Sequence, residues 1–486
     1  MKKYITTPIY YVNDVPHLGH AYTTVAGDVL ARYYRLKGDE VRFLTGTDEH
    51  GQKNAESAEK AGLTPQAYVD QRSAEFKQTF EELGIQFDDD TIFMRTTDPK
   101  HAAAVKAFME KLDAVGALEE GEYEGLYCKG CEDFKTEKDL VDGVCPIHKT
   151  KPELLKEKNW FFKLRDYKDE VRRRIESGEL AVEPEARRNE VLGLIKEAPD
   201  FSVTRQRVGW GIPFFKDESQ IIYVWVEALQ NYISALGYPD GEDFKNFWQA
   251  EDADVTHLMA KDIVKFHAIY WPAMLLAAGE KLPKKIFAHG FFTLNGQKMS
   301  KSLGNVIHPH ELVEKYGVDA TRYLLMRSIP FGYDGDFSLE QLDRRYTSDL
   351  ANGLGNLVSR TTKLVEDKLD GKFSPLSSRI PMDGELRARI DQFMENLSPD
   401  AALDSIWLSI EQADKLLQVE TPWKNGPEDR EKSEKVLSRV VATLLQISEP
   451  LKAFMPETAE KIYTAITAEK ITKIEQLFPR LQKDHS

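Results

Sequence analysis

Tyr4-Ile5-Thr6-Thr7-Pro8-Ile9-Tyr10-Tyr11-Val12-Asn13-Asp14-Val15-Pro16-His17-Leu18-Gly19-His20 opens a pattern that runs on through Leu36 and Gly38 to Val41-Arg42-Phe43-Leu44. The first nine residues are rich in β-branched and aromatic side chains and end at a turn-forming Asn-Asp-Val-Pro, so they predict a strand. From His17 to Leu36 apolar residues recur at helical spacing, and Gly38 stands where a C-cap glycine belongs. A β-α-β unit implies a parallel sheet. The alternation returns at Ile221-Ile222-Tyr223-Val224-Trp225, Val255-Thr256-His257-Leu258-Met259 and Ile286-Phe287-Ala288. These runs predict the other half of one doubly wound α/β sheet of Rossmann type.

The sheet halves are separated by a segment of different character, from about Val115, which holds all three cysteines and the charged run Lys149 to Lys158. From about Leu339 the pattern is leucine-rich and helical, which predicts a bundle. The expected organisation is a catalytic first half at 1–114, a connective insertion at 115–204 and a catalytic second half at 205–304. A short mixed region at 305–338 and a helical domain at 339–486 complete it.

With 486 residues, 41% of them hydrophobic, the chain is long enough for several cores. It has 65 basic and 80 acidic residues, and a net charge of -15 disfavours indiscriminate binding to nucleic acid or anionic membrane. RNA contact then falls to local basic faces. No run of about 18 apolar residues occurs, and Met1-Lys2-Lys3-Tyr4 leads straight into a strand. The expectation is a cytoplasmic protein with no membrane association.

Three constellations carry chemistry. His17-Leu18-Gly19-His20 sits where a strand passes into a helix, whose unpaired N–H groups and partial positive charge suit a phosphate. Gly19 would let a flat base approach the backbone. Two histidines at a helix start are also ordinary solvated residues, so the tetrapeptide alone does not decide. Lys298-Met299-Ser300-Lys301-Ser302 follows an Asn295-Gly296 turn beyond a sheet strand, and two lysines on such a loop can neutralise charge on a transferring phosphoryl group. In a doubly wound sheet the two motifs fall at the same carboxyl edge. Cys128-x2-Cys131, then thirteen residues, then Cys145-x2-His148, gives three sulfurs and an imidazole at the spacing of a closed tetrahedral zinc site.

HLGH and KMSKS resemble the two signatures of the class I aminoacyl-tRNA synthetases, and the surrounding text resembles the methionyl family in particular. The matching stretches include Thr47-Asp48-Glu49-His50-Gly51, Tyr223-Val224-Trp225, Lys261-Asp262-Ile263-Val264-Lys265-Phe266-His267 and His289-Gly290-Phe291. They continue through Leu354-Gly355-Asn356-Leu357 to Pro422-Trp423, nearly the whole chain. The resemblance implies an ATP-dependent ligase that activates L-methionine and transfers it to tRNA(Met). His17, Gly19, His20, Lys298 and Lys301 would act on ATP accompanied by Mg2+. One structural zinc would sit on Cys128, Cys131, Cys145 and His148.

It also implies that Asp48 holds the methionine ammonium group in a pocket of Ile9, Tyr11, Trp225, Ala228, Leu229, Tyr232, Ile263 and His267. Aromatic faces suit a polarizable thioether. Taken without the family, Asp48 reads equally as a helix N-cap, and Trp225 and Tyr232 as core. The family's anticodon contacts map onto Asn356, Arg360 and Trp423. Asn356 and Arg360 share a helix face at i and i+4, an arrangement that is otherwise ordinary surface, and an indole offers a stacking platform. Three positions depart from the family pattern: Asp414 and Leu416, where relatives usually carry Asn and Tyr, and Ala260, where many have Gly. No appended dimerisation segment follows Leu477-Phe478-Pro479-Arg480, so a monomer is expected. The alternatives are another class I synthetase and a non-catalytic RNA-binding paralogue.

Overall fold

A computed structural model of the chain describes residues 1–128, 133–135, 137–146, 149–206, 209–298, 306–372 and 384–481. Along the chain, strand β1 (Lys2–Tyr11) is followed by helix α1 (Leu18–Leu36) and strand β2 (Glu40–Asp48). Strands β3 (Thr91–Arg95), β4 (Ala181–Glu183), β5 (Ala253–Ala260) and β6 (Lys285–His289) complete a six-stranded sheet in the order β3-β2-β1-β5-β6-β4. Every pairing in it is parallel. Both faces of β1 and β2 are largely buried, which accounts for their nearly continuous apolar and threonine-rich reading.

The register of β1 explains how the sheet presents a site. Pairing with β5 runs from Lys2 to Thr6 and stops, while pairing with β2 shifts between Thr6 and Ile9. Pro8 lies in that gap; it has no N–H to give to the ladder. Beyond the irregularity Tyr11 comes opposite Asp48 at the end of β2. Such bulges re-aim side chains at strand ends. On the next strand pair, Gly46 is required, because a Cβ there would lie 2.1 Å from the Met94 carbonyl oxygen.

The chain divides into two compact units. Met1–Pro16, Glu40–Thr79 and Gln86–His289 form the first; His17–Asp39, Phe80–Ile85 and Gly290–Ser486 form the second. The first holds the parallel sheet, helices α2 (Pro99–Ala114), α3 (Val224–Leu229) and α4 (Asn231–Ser234), and two antiparallel sheets. One antiparallel sheet joins Leu118–Cys128, Asp133–Lys135, Glu153–Phe162 and Phe201–Ser202; the other joins Thr204–Arg205, Pro213–Phe214 and Asp217–Ile222.

Here the structure differs from the sequence reading. The run Ile221 to Trp225 is not a strand of the parallel sheet: it leaves the antiparallel strand at Ile222 and turns helical from Val224. A short apolar run cannot be told apart from a buried helical turn by periodicity. The helical form places Trp225, Ala228 and Leu229 on one face.

In the second unit, α1 lies with α5 (Val318–Ser328), α6 (Asn356–Leu369), α7 (Pro399–Glu420) and α8 (Arg430–Phe454). Its core holds a fully buried arginine. Arg322 donates through Nε to the Phe454 carbonyl (2.9 Å), through Nη1 to Leu83 (3.2 Å), and through Nη2 to Ala453 (3.2 Å) and to Asp28 Oδ2 of α1 (2.6 Å). Among the described residues no helix is long and apolar enough to cross a membrane.

Candidate functional site

The first unit contains a cavity of about 330 Å3, counting its open mouth, at the carboxyl ends of β1 and β2. It is lined by Pro8, Ile9, Tyr11, Asp48, Trp225, Ala228, Leu229, Asn231, Tyr232, Ile263 and His267. All nine pocket residues singled out in the sequence therefore surround one space. Pro8 and Asn231 join them without having been singled out; the proline sits there because it breaks the β1 ladder.

The walls are aromatic and held in place. The Trp225 indole stacks on Phe266 with centroids 4.0 Å apart and planes at 7°, and meets Tyr11 edge-on at 6.3 Å. His267 Nδ1 donates to the Ile263 carbonyl (2.9 Å), so its Nε2 is an acceptor, and the Tyr232 hydroxyl donates to it at 2.7 Å. Burial drives the His267 pKa down to about 4, which keeps the ring neutral. Asp48 is 4% exposed and is the one carboxylate in the lining. A neutral aromatic slot closed by a single anion suits a zwitterion with an apolar side chain.

In the second unit, His17 and His20 head α1. The His17 Nδ1 accepts from the Gly19 N–H (3.1 Å), and the His17 N–H donates to His20 Nδ1 (3.2 Å), a reciprocal cap. The rings stack with centroids 3.7 Å apart. Burial, and then the neighbouring His17, push the His20 pKa well below the ordinary imidazole value. With Nδ1 occupied on both rings, each presents Nε2–H as its donor. A Cβ on Gly19 would lie 3.0 Å from His17 Cε1, so the glycine admits the histidine ring itself.

The turn Asn295-Gly296 has φ of 52° and 74°, the pair of left-handed residues that a tight hairpin needs, and leads into the strand Gln297–Lys298. The Gly296 N–H donates to Asp336 Oδ1 at 2.7 Å. Lys301 lies outside the described residues, as does the side chain of Lys298.

Cys128 and Cys145 are buried at 1% and 0% exposure. The Cys145 N–H donates to the Thr150 carbonyl (2.9 Å) and its carbonyl accepts from Lys149 (2.8 Å), closing a tight turn with Lys149 at φ 57°. Two buried thiols, one of them on such a turn in a charged segment, fit a thiolate metal site. Cys131 and His148 fall outside the described residues, and among the described residues no group of three or more ligating side chains converges.

On the helical face, the Arg360 guanidinium lies 4.1 Å from the Trp423 ring centroid. Arg360 Nη1 is 3.6 Å from Asp414 Oδ1, and Trp423 is 37% exposed. Asn356 is exposed at the start of α6. Asp414 thus supplies Arg360 with an anionic partner.

Residues 3–149 and 135–362 match the family described as tRNA synthetases class I (M). A methionine–tRNA ligase of Caldanaerobacter subterraneus subsp. tengcongensis is 43% identical, covering 98% of this chain and 76% of that protein. One of Rickettsia bellii is 44% identical, covering 94% and 91%. The crystal structure of Mycobacterium tuberculosis methionyl-tRNA synthetase bound by methionyl-adenylate aligns with a TM-score of 0.89 at 35% identity over 99% of each chain. Motif order, profile, near full-length identity and fold agree: the chain belongs to the methionyl family of class I aminoacyl-tRNA synthetases.

Proposed function

We propose that the chain is a methionine–tRNA ligase that uses the cavity of its first unit for methionine. The observation that carries this reading is the lining itself: Asp48 alone supplies charge, and neutral Tyr232, His267, Tyr11 and Trp225 supply the surface. Asp48 holds the α-ammonium group. The thioether lies against aromatic faces, a favourable contact for sulfur.

The methionine carboxylate attacks the α-phosphorus of ATP, forming methionyl-adenylate and releasing pyrophosphate. A ribose hydroxyl at the tRNA 3′ end then takes the methionyl group, and AMP leaves. His17 and His20 offer neutral donors to phosphate oxygens at the head of α1, and Gly19 keeps that surface low. Lys298 and Lys301 stabilise charge that grows in the transition state. Mg2+ accompanying the nucleotide would neutralise part of the triphosphate charge. Catalysis rests on alignment and electrostatics with no covalent enzyme intermediate.

Residues 1–114 and 205–304 carry the chemistry, 305–338 meet the tRNA stem, and Asn356, Arg360 and Trp423 within 339–486 read the anticodon. One zinc on Cys128, Cys131, Cys145 and His148 would brace the insertion at 115–204. The enzyme acts as a cytoplasmic monomer.

ATP–pyrophosphate exchange measured with each amino acid in turn tests the reading. Exchange driven by methionine is expected; exchange driven by another amino acid, or by none, refutes it. Lys301→Ala is expected to lower the exchange kcat by about a hundredfold with little change in methionine KM.

A further inference from the structure

The first unit buries a charged cluster to which the reaction above gives no role. Glu227 is fully buried on α3, between the cavity residues Trp225 and Ala228. Its Oε1 is hydrogen-bonded to His50 Nδ1 and lies 3.7 Å from His101 Nε2. Its Oε2 has no hydrogen-bond partner among the described residues. Burial would expel the proton from His50 and force one onto Glu227. The carboxylate nevertheless raises the His50 pKa above its ordinary value, and His50 and His101 hold Glu227 below the usual carboxylate range. Burial and partner thus oppose each other on both groups, and each partner favours the other's charged form.

The cluster connects elements that the substrate must bridge. His50 follows Asp48 by two residues, and Asn54 Nδ2 ties this turn by donating to both the Asp48 and the His50 carbonyls at 3.0 Å. His101, on α2, is 2.7 Å from Ser234 Oγ, and Ser234 ends α4, which carries Tyr232. An amino acid held by its ammonium group at Asp48 and by its side chain against α3 and α4 is measured by the span between them. Glu227 joins the two, its carboxylate reaching from the side-chain wall to the turn of Asp48 through His50.

We propose that Glu227 is a specificity-determining positioning residue, whose carboxylate, through His50 and His101, fixes the distance from Asp48 to the wall of α3 and α4 and so the side-chain length the cavity accepts. The inference rests on reading this cavity as the methionine site.

The test is ATP–pyrophosphate exchange with methionine and with its S-ethyl homologue, which is one methylene longer. A tight apolar pocket discriminates one methylene by about 10- to 200-fold. In Glu227→Gln the methionine KM is expected to rise about tenfold with kcat and ATP KM held within about twofold, and the preference for methionine over the homologue to fall at least about fivefold. Glu227→Asp keeps the charge on an arm one methylene shorter and is expected to shift the preference the other way; it carries the test if the Gln variant does not fold. A preference ratio equal to wild type in the folded variants overturns the inference. So does a parallel loss of kcat and affinity for both substrates in each variant, which would reduce Glu227 to maintaining the fold. If the wild-type enzyme itself shows no exchange with methionine, the underlying reading of the cavity falls first and takes the inference with it.

Discussion

Asp28→Ala is expected to be among the most damaging single substitutions in the second unit. The Arg322 guanidinium is completely buried, and Asp28 is the one carboxylate among its hydrogen-bond acceptors; the others are the Phe454, Leu83 and Ala453 carbonyls. Removing Asp28 takes away the one carboxylate hydrogen-bonded to that charge among the described residues and leaves it to the peptide carbonyls and the nearby Asp319. Breaking a buried pair in this way costs about 3–5 kcal/mol, which for a unit of roughly 200 residues lowers Tm by about 6–20 °C. Arg32 also binds Asp28 Oδ2, at 2.6 Å, but its side chain is 23% exposed and can turn to water, so Arg32→Ala is expected to cost about 1 kcal/mol or less. The double variant Asp28→Leu, Arg322→Met removes both charges and is expected to be less destabilised than Asp28→Ala alone. Calorimetry on the three proteins decides. If Asp28→Ala melts no lower than Arg32→Ala, or if the double variant melts below the single, the buried charge is not what holds α1 in this unit.

Three further outcomes can be measured. The His267 pKa of about 4 lies below the unfolded imidazole value, so its contribution to stability is full above about pH 6.5 and is lost as pH falls through about 4. Unfolding free energies from urea titrations at pH 7.5 and 4.5 are therefore expected to differ by about 2–3 kcal/mol less in His267→Gln than in wild type; His20, also pushed down by burial, is the same in both proteins and cancels, while His257, pushed down by burial and then by His267, is less depressed in the variant and changes the difference in the same direction. Asp414→Asn is expected to release the Arg360 charge, lowering the tRNA KM a few-fold and steepening its salt dependence by about one unit of slope, while Trp423→Ala raises that KM by about 1–3 kcal/mol; exchange without tRNA remains unchanged in both, and a fall in exchange assigns these residues to packing. Cys145→Ala, or prolonged chelation, is expected to release one zinc per chain by elemental analysis and to destabilise the insertion; protein purified without chelator that contains no zinc removes the site.

Strands β1, β2, β5 and β6 of the parallel sheet were legible as β-branched and apolar runs, while β3 and the three-residue β4, which lies inside the stretch read as the insertion, were not; α1 was legible because histidine, helical period and glycine cap are all local signals. Val224–Leu229 was not. Its helix is decided by tertiary partners, above all a buried Glu227 that has to meet His50 and His101 from distant parts of the chain. A lone acid inside Val224-Trp225-Val226-Glu227-Ala228-Leu229 was the available signal, since a strand buried on both faces has no place for a carboxylate without a partner. The cavity lining was legible residue by residue through the family resemblance. The reason for it was hidden, because the register shift at Pro8 depends on strand pairing that no linear pattern records. The role of Asp414 was likewise invisible: a departure from the family pattern read as a loss of detail, whereas in three dimensions it gives Arg360 a counter-charge beside Trp423.

The reciprocal cap at the head of α1 has a consequence for proton traffic. Backbone N–H groups occupy Nδ1 of both His17 and His20, so neither ring can become an imidazolium without surrendering the cap that starts the helix. The two rings can therefore meet a polyphosphate only as uncharged donors. Were ATP to bind here as proposed, binding would take up no proton from the solvent and return none when pyrophosphate departs. The proposed contact would then avoid an ion pair that holds the ground state as tightly as the transition state. Titration calorimetry of ATP binding in buffers of different ionisation enthalpy reads this directly: heats that do not vary with the buffer near neutrality are the expected signature, and a buffer-dependent heat that disappears in His20→Asn would mean that the cap opens when the nucleotide arrives.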